Sequence, residues 1–451
     1  MKKTIKLITF LSVLWLILFF QPPDTFSQLQ SNNSSRKIYK FTGGQWFDGK
    51  NFQRRTFYAV DGVLTKKKPS KIDETIDLEN GYVIPPFADA HTHNLDGKNN
   101  LDKMIGAYLA EGTFYVQVLT NYQTGAAEAK PFLNKPESLD VIYANGGLTS
   151  TFGHPFLAYE PGALGFSSWR DTQANIEKIK HSRIAANNAY WFFDSIADVD
   201  AKWEKFLAGN PDIVKIYLLD AAGQSKLKLD DNIGGKGLLP EVAEYLVKRA
   251  HAVNRRVYAH IETADDFRLG LKIGVDGFAH LSGYGWDGSA DGAGRIELTA
   301  ADFKLAAEKR VVVIPSLNIG KNRGGNWDNK TGVLTPDPTR TRNILARQKR
   351  MLELMRQTGV RIALGSDSFG KTLDGELRHI YENKMLDNLT LLKIAVETTT
   401  QTIFPNRKIG RLREDYEASF LVLNGNPIEN FERVKNIRLR FKQGFLLNAA
   451  Q

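Results

Sequence analysis

From Tyr82 onward the chain alternates short apolar runs with longer stretches of mixed polarity. The runs opening at Tyr82 and at Phe114–Leu119, Val141–Ala144, Ile213–Leu218, Val257–His260, Gly277–His280, Val311–Ile314 and Arg361–Leu364 have the length and continuous apolar character of buried strands. Between them, Leu101–Ala110, Leu239–Ala252, Asp265–Ile273, Ala300–Lys309 and Arg340–Thr358 carry apolar residues at helical spacing. Strands that alternate with helices this regularly pair in parallel, and eight repeats predict a closed (β/α)8 barrel over residues 81–404. The rival is an open doubly wound sheet. Its dinucleotide-binding form is excluded because no G-x-G-x-x-G opens a helix after a strand.

The two ends of the chain read differently. Residues 37–80 form short strands, with Asp61-Gly62 turning a hairpin between Phe57–Val60 and Val63-Leu64. Lys66, Lys67 and Lys68 read as a solvated loop. After a helix over Leu389–Thr400, strand character returns at Ala418–Leu423 and Val434–Phe441, with Asn424–Pro427 as a turn. Residues 37–80 are too few to bury a core alone. They are expected to pack with 405–451 as a small β-sandwich beside the barrel.

Residues 1–27 have the pattern of a secretory signal peptide: Lys2, Lys3 and Lys6, then the 14 apolar residues Leu7–Phe20, then small residues around Thr25–Ser27. Fourteen residues fall short of the ~20 that span a bilayer. An exported protein, periplasmic or secreted, without a stable membrane span after cleavage, is expected. Residues 28–36 are a polar linker.

Composition narrows the chemistry. A chain with 42% apolar and 24% charged residues folds as a globule. The absence of cysteine excludes disulfides, thiolate metal sites and a cysteine nucleophile. The net charge of +10 becomes +8 once the leader's three lysines and Asp24 are set aside. No basic stripe with interleaved aromatics is present, so no nucleic-acid partner is expected. The composition leaves a homo-oligomer open.

The first barrel strand ends in His91 and His93, which alternation places on one side, where two imidazoles can grip one cation. Alone, such a pair reads equally as two polar residues at a strand end. Lys215 lies inside the apolar strand Asp212–Leu218, where an unpaired ammonium needs an anionic partner, a lowered pKa or a modification, unless its head reaches water. His260 and His280 close the next two strands, and Asp367 follows the last. In a barrel of this kind these strand ends meet at one mouth. All six side chains would then share a small volume, which points to a metal site.

The motifs Pro85–His93, Ile213–Ile216, Ala259-His260, Ala279-His280 and Gly365–Asp367 together resemble those of the amidohydrolase superfamily, metal-dependent hydrolases on a (β/α)8 barrel. The likeness covers nearly the whole chain after the leader. It departs from the family at Pro86, where glycine is usual, and at Ser419, where aspartate is usual. The resemblance implies two divalent metal ions, zinc being the expected choice. His91, His93 and Asp367 would hold one, His260 and His280 the other, and Lys215, carbamylated with carbon dioxide, would bridge them. It implies a bridging hydroxide that attacks a polarised carbonyl, with Asp367 taking its proton and returning it to the leaving nitrogen. His154, after the third strand, resembles a substrate-facing histidine of peptide-cleaving relatives. Tyr284 and Trp286, and Lys321 and Arg323, lie in loops after the sixth and seventh strands and are candidates for substrate contact. His181, His251 and His379 read as surface residues.

The expected function is hydrolysis of an amide C–N bond in a small molecule, a dipeptide or N-acyl amino acid, as in the prolidase-like branch with a bridging lysine. Two alternatives stand beside it: a ring-opening enzyme or deaminase acting on a cyclic amide, and a non-catalytic barrel. Deaminase relatives carry a His-x-x-Glu on the fifth strand, whereas Glu262 stands only two residues after His260.

Overall fold

The structure, a computed structural model, describes residues 36–221, 223, 232–283, 293–321, 325–328 and 333–447. The leader and all but the last residue of the linker lie outside the described residues.

Five strands precede the paired prolines: β1 (Tyr39–Phe47), β2 (Phe52–Val60), β3 (Val63–Thr65), β4 (Glu74–Asp77) and β5 (Tyr82–Ile84). The Asp61-Gly62 hairpin joins β2 to β3, Val60 facing Val63. Pro85 and Pro86 have no N–H to give a ladder, so the apolar run from Tyr82 breaks there. Its first part, β5, pairs with β1, and only the second part opens the parallel strands.

Those strands are β6 (Phe87–Thr92), β7 (Thr113–Val118), β8 (Asp140–Tyr143), β9 (Gly147–Thr149), β10 (Tyr190–Phe192), β11 (Val214–Leu218), β12 (Val257–Ile261), β13 (Gly277–Ala279) and β14 (Val312–Ile314). A hairpin, β15 (Gly325–Trp327) and β16 (Leu334–Pro336), stands apart, and β17 (Arg361–Ile362) completes the set. One parallel sheet runs β6-β7-β8 and another β10-β9-β11-β12-β13-β14-β17. Every residue of β6, β7, β11 and β12 is buried, which continuous apolar runs require. The sheets abut twice. Only Ala144–Gly146 separates β8 from β9, and Ala90 N–H donates to the Leu364 carbonyl at 2.8 Å, tying β6 to the chain after β17.

Helices fall between the strands. Thr263 and Thr299 cap two of them, each accepting from the N–H of an aspartate whose side chain returns the bond. Residues after β9 form a helical insertion with no counterpart in the expected elements. Buried Glu160 fastens it, accepting from the N–H groups of Ile184 (2.7 Å) and Ala185 (3.1 Å) and from the hydroxyls of Ser182 and Tyr190.

The C-terminal strands β18 (Phe420–Leu423), β19 (Ile437–Lys442) and β20 (Phe445–Leu447) join the N-terminal ones, β18 pairing antiparallel with β5. The two chain ends share a sheet, but it is one continuous sheet of eight strands in place of a two-sheet sandwich. It curls. β19 and β1 are three strands apart, about 14 Å if flat, yet the rings of Phe41 and Phe441 lie 5.0 Å apart. At the other edge, Leu64 N–H donates to the Tyr416 carbonyl at 2.7 Å. Buried charges fix this sheet to β8: Asp140 accepts from Lys442 and Arg407, each at 2.7 Å, and Arg407 also reaches Glu417.

Candidate metal centre

β6 carries Asp89 and His91, and His93 is the first residue beyond its end, so the three keep the period of two that puts side chains on one side. Asp89 is fully buried and accepts four hydrogen bonds. They come from His91 N–H (3.2 Å), Tyr108 hydroxyl (3.1 Å), Ser366 N–H (3.0 Å) and Ser366 hydroxyl (2.7 Å). Burial pushes its carboxyl up to about 6, against the pull of those donors. Asp89 thus couples the first parallel strand to the segment that carries Asp367. Sequence reasoning passed over it, although a carboxylate two residues before His91 in an apolar run was a readable signal.

Asp367 is the meeting point. Its Oδ1 lies 3.2 Å from His91 Nε2 and 3.1 Å from His93 Nε2, and its Oδ2 lies 3.4 Å from His280 Nδ1. The ligand atoms of His91, His280 and Asp367 all fall within 4.8 Å of one another. Two of these residues hold unusual backbone angles, φ 45° at Asp367 and 80° at His280, a strain of about 1–3 kcal/mol each that the surrounding bonds must sustain. Gly365 is needed nearby, since a Cβ there would lie 2.5 Å from the His91 Cβ. His93 Nδ1 sits 3.0 Å from the Thr120 carbonyl, so this nitrogen carries the proton and Nε2 is left as a donor atom for a metal.

Lys215, on β11, is 1% exposed, which disposes of the alternative that its head reaches water. Its Nζ has no hydrogen-bond partner among the described residues and lies 5.4 Å from the Tyr217 ring. Burial lowers its pKa to about 7, so a good fraction is the neutral amine at neutral pH. His260, on β12, has its ring 4.8 Å from that of His280 and its Nε2 3.2 Å from Glu262 Oε1. Burial, together with neighbouring basic groups, holds His91 and His280 well below the usual imidazole range. Neutral imidazoles, a carboxylate and an orphaned buried amine are a donor set that fits divalent cations.

His154 follows β9 and its ring lies 4.9 Å from His260 and 5.0 Å from Tyr217. Burial pushes it down to about 3, so it too is neutral. With these residues, Pro155, Ala158, Tyr159, Ile319 and Phe369 enclose a cavity of about 200 Å³. The structure therefore brings His91, His93, His154, Lys215, His260, His280 and Asp367 around one space. Tyr284, Trp286, Arg323 and the Lys321 side chain lie outside the described residues. His379, read from sequence as a surface residue, is 1% exposed. Gln348 and Asn383 bond its two ring nitrogens, at 2.8 and 3.3 Å, which is what lets an imidazole be buried there.

No protein-family model matches the chain. It is 24% identical to the ochratoxinase of Aspergillus niger over 237 residues, 51% of this chain and 46% of that enzyme. The match thus spans about half the length of its curated relative. The solved A. niger ochratoxinase superposes with a TM-score of 0.67 at 17% identity, covering 91% of this chain and 95% of that one. A prolidase in complex with N-methylphosphonate-L-proline gives 0.66 at 19% identity, covering 91% and 99%. A solved amidohydrolase gives 0.66 at 19% identity, covering 92% and 99%. At such identities these likenesses establish the fold.

Proposed function

From a chain that has the fold of the amidohydrolase superfamily, we propose an exported, metal-dependent hydrolase of amide C–N bonds in small molecules, dipeptides or N-acyl amino acids. The observation that carries this reading is the convergence of three histidines on Asp367 in a cavity that also holds the amine of Lys215, which has no hydrogen-bond partner among the described residues. The prolidase and ochratoxinase likenesses support the substrate class.

The scaffold on this reading is a closed (β/α)8 barrel of β6, β7, β8 continued by β9, β11, β12, β13, β14 and β17, sealed by the Ala90–Leu364 bond. His91, His93 and Asp367 would hold one divalent ion, with His260 and His280 holding a second. Lys215 would bridge them as a carbamate: the neutral Nζ adds to carbon dioxide and gives up one proton, leaving a single negative charge. Zinc suits the imidazole and carboxylate donors. Bound ions at this site supply Lewis acidity, which makes water a stronger nucleophile at neutral pH and polarises a carbonyl.

The chain's own residues divide the remaining work. Asp367 accepts a proton at its carboxylate as water attacks and delivers it to the departing nitrogen, which avoids expelling an amide anion. The neutral ring of His154 donates a hydrogen bond to substrate oxygen. Tyr159 and Phe369 restrict water at the mouth. No described helix is long and apolar enough to cross a membrane, and export rests on the leader's pattern. The same water attack would open a cyclic amide.

A screen of dipeptides, N-acyl amino acids and cyclic amides, run on protein of measured metal content, tests the reading. Turnover of a linear amide that stops on chelation and returns with a divalent ion is expected. Turnover of cyclic amides alone would favour the ring-opening alternative, and metal-free protein would favour the non-catalytic one.

A further inference from the structure

Phe369 is the most exposed large apolar side chain among the described residues, at 62%, and it lines the cavity onto which the candidate metal ligands converge. Its ring stacks on His93 at 4.8 Å and 16°, which occupies one face. Tyr159 stands edge-on to it at 6.3 Å, and Ala158 and Ile319 add apolar surface to the same cavity. The backbone around it is anchored on both sides. The Ser368 carbonyl accepts from His93 N–H and from the Thr92 hydroxyl, each at 3.2 Å, and Gly370 N–H donates to Asn94 Oδ1 at 2.6 Å. An aromatic ring on a backbone anchored this way, stacked on His93 and exposed at the edge of the cavity, is preorganised for an apolar ligand group.

The cavity thus has a polar floor of metal-binding side chains and an apolar rim. We propose that Phe369 sets specificity, as a shelf that receives a flat or bulky apolar group flanking the scissile amide. This rests on the amide-hydrolase reading above, which fixes only what meets the floor. It goes further in requiring that the preferred substrates be amphipathic, with an aromatic or branched apolar group within about three bonds of the amide.

The test compares kcat/KM for N-acetylglycine, N-benzoylglycine and N-acetylphenylalanine with wild-type protein, Phe369→Ala and Phe369→Leu, each at measured metal content. Wild type should prefer at least one of the aromatic compounds to N-acetylglycine by about tenfold or more, the scale of one well-buried apolar contact. That ratio should collapse toward one in Phe369→Ala, through KM more than kcat, and recover in part in Phe369→Leu. A ring that merely steadies His93 would lower metal content and depress all three compounds alike; an unchanged ratio therefore overturns the proposal and leaves the hydrolase reading standing. If none of the compounds is turned over, the hydrolase reading fails for this class, and equilibrium binding of the same compounds decides on the shelf alone. Tighter binding of an aromatic compound that is lost in Phe369→Ala supports it, and equal binding overturns it.

Discussion

His93 and Asp367 lie 274 positions apart and meet at 3.1 Å between Nε2 and Oδ1. The contact exists because β6 and the segment after β17 run side by side, with Asp367 N–H donating to the His91 carbonyl at 2.7 Å. Asp367 is therefore both within reach of three imidazoles and fixed by its own backbone. Replacing it with asparagine keeps the shape and removes the proton acceptor. Turnover of the best amide should fall by about a thousandfold, within the range for general acid–base groups. Near-normal kcat in Asp367→Asn would exclude the role.

Lys215 should be modified. Protein equilibrated with 13C-bicarbonate is expected to give a carbamate carbon signal that Lys215→Met lacks, and the variant should bind less metal. A wild-type spectrum without that signal would mean that the buried amine is stabilised in some other way.

Glu376 gives a pH prediction. It is fully buried and accepts the N–H groups of Leu317 (2.9 Å) and Asn318 (2.7 Å), and burial pushes its pKa up to about 7. A carboxyl whose folded pKa lies above its unfolded value contributes stability that is complete below about 4.3 and is lost as pH rises through 7. Glu376→Gln cannot ionise. Between pH 4 and 8 it should gain on the wild type by on the order of 3 kcal/mol, read from denaturant midpoints. Parallel pH profiles for the two proteins would refute this.

The Asp140 cluster gives a stability prediction. Asp140 and Lys442 are both buried at 2.7 Å, and their neighbouring cations hold the carboxyl below its usual range. Asp140→Asn strands the buried Lys442 ammonium and should cost about 3–5 kcal/mol. Lys442→Met leaves Asp140 with Arg407 and should cost less. An order reversed in urea melts would mean the cluster is not what clamps the end sheet.

The strand ends were legible in sequence because polar residues interrupt or closely follow the apolar runs: His91, His260, His280 and Asp367 all stand out against what precedes them. The helices at 101–110 and 240–252 were legible from spacing alone. What was not legible depends on partners far along the chain. The burial of His379 rests on Gln348, on a separate helix. The insertion after β9 is held by Glu160 bonding residues more than twenty positions away. The Tyr82 run was read as the opening barrel strand, whereas it stops at Pro85-Pro86 and the pairing of β5 with β18 puts its first part in the end sheet. Asp89 obeys the period of two and could have been found.

The most direct test is a metal count on the protein purified without chelators. Two equivalents of divalent metal per chain are expected, lost on dialysis against a chelator together with amide hydrolysis. Full hydrolytic activity in protein that carries no metal would contradict the assignment of His91, His93, Lys215, His260, His280 and Asp367 as its ligands.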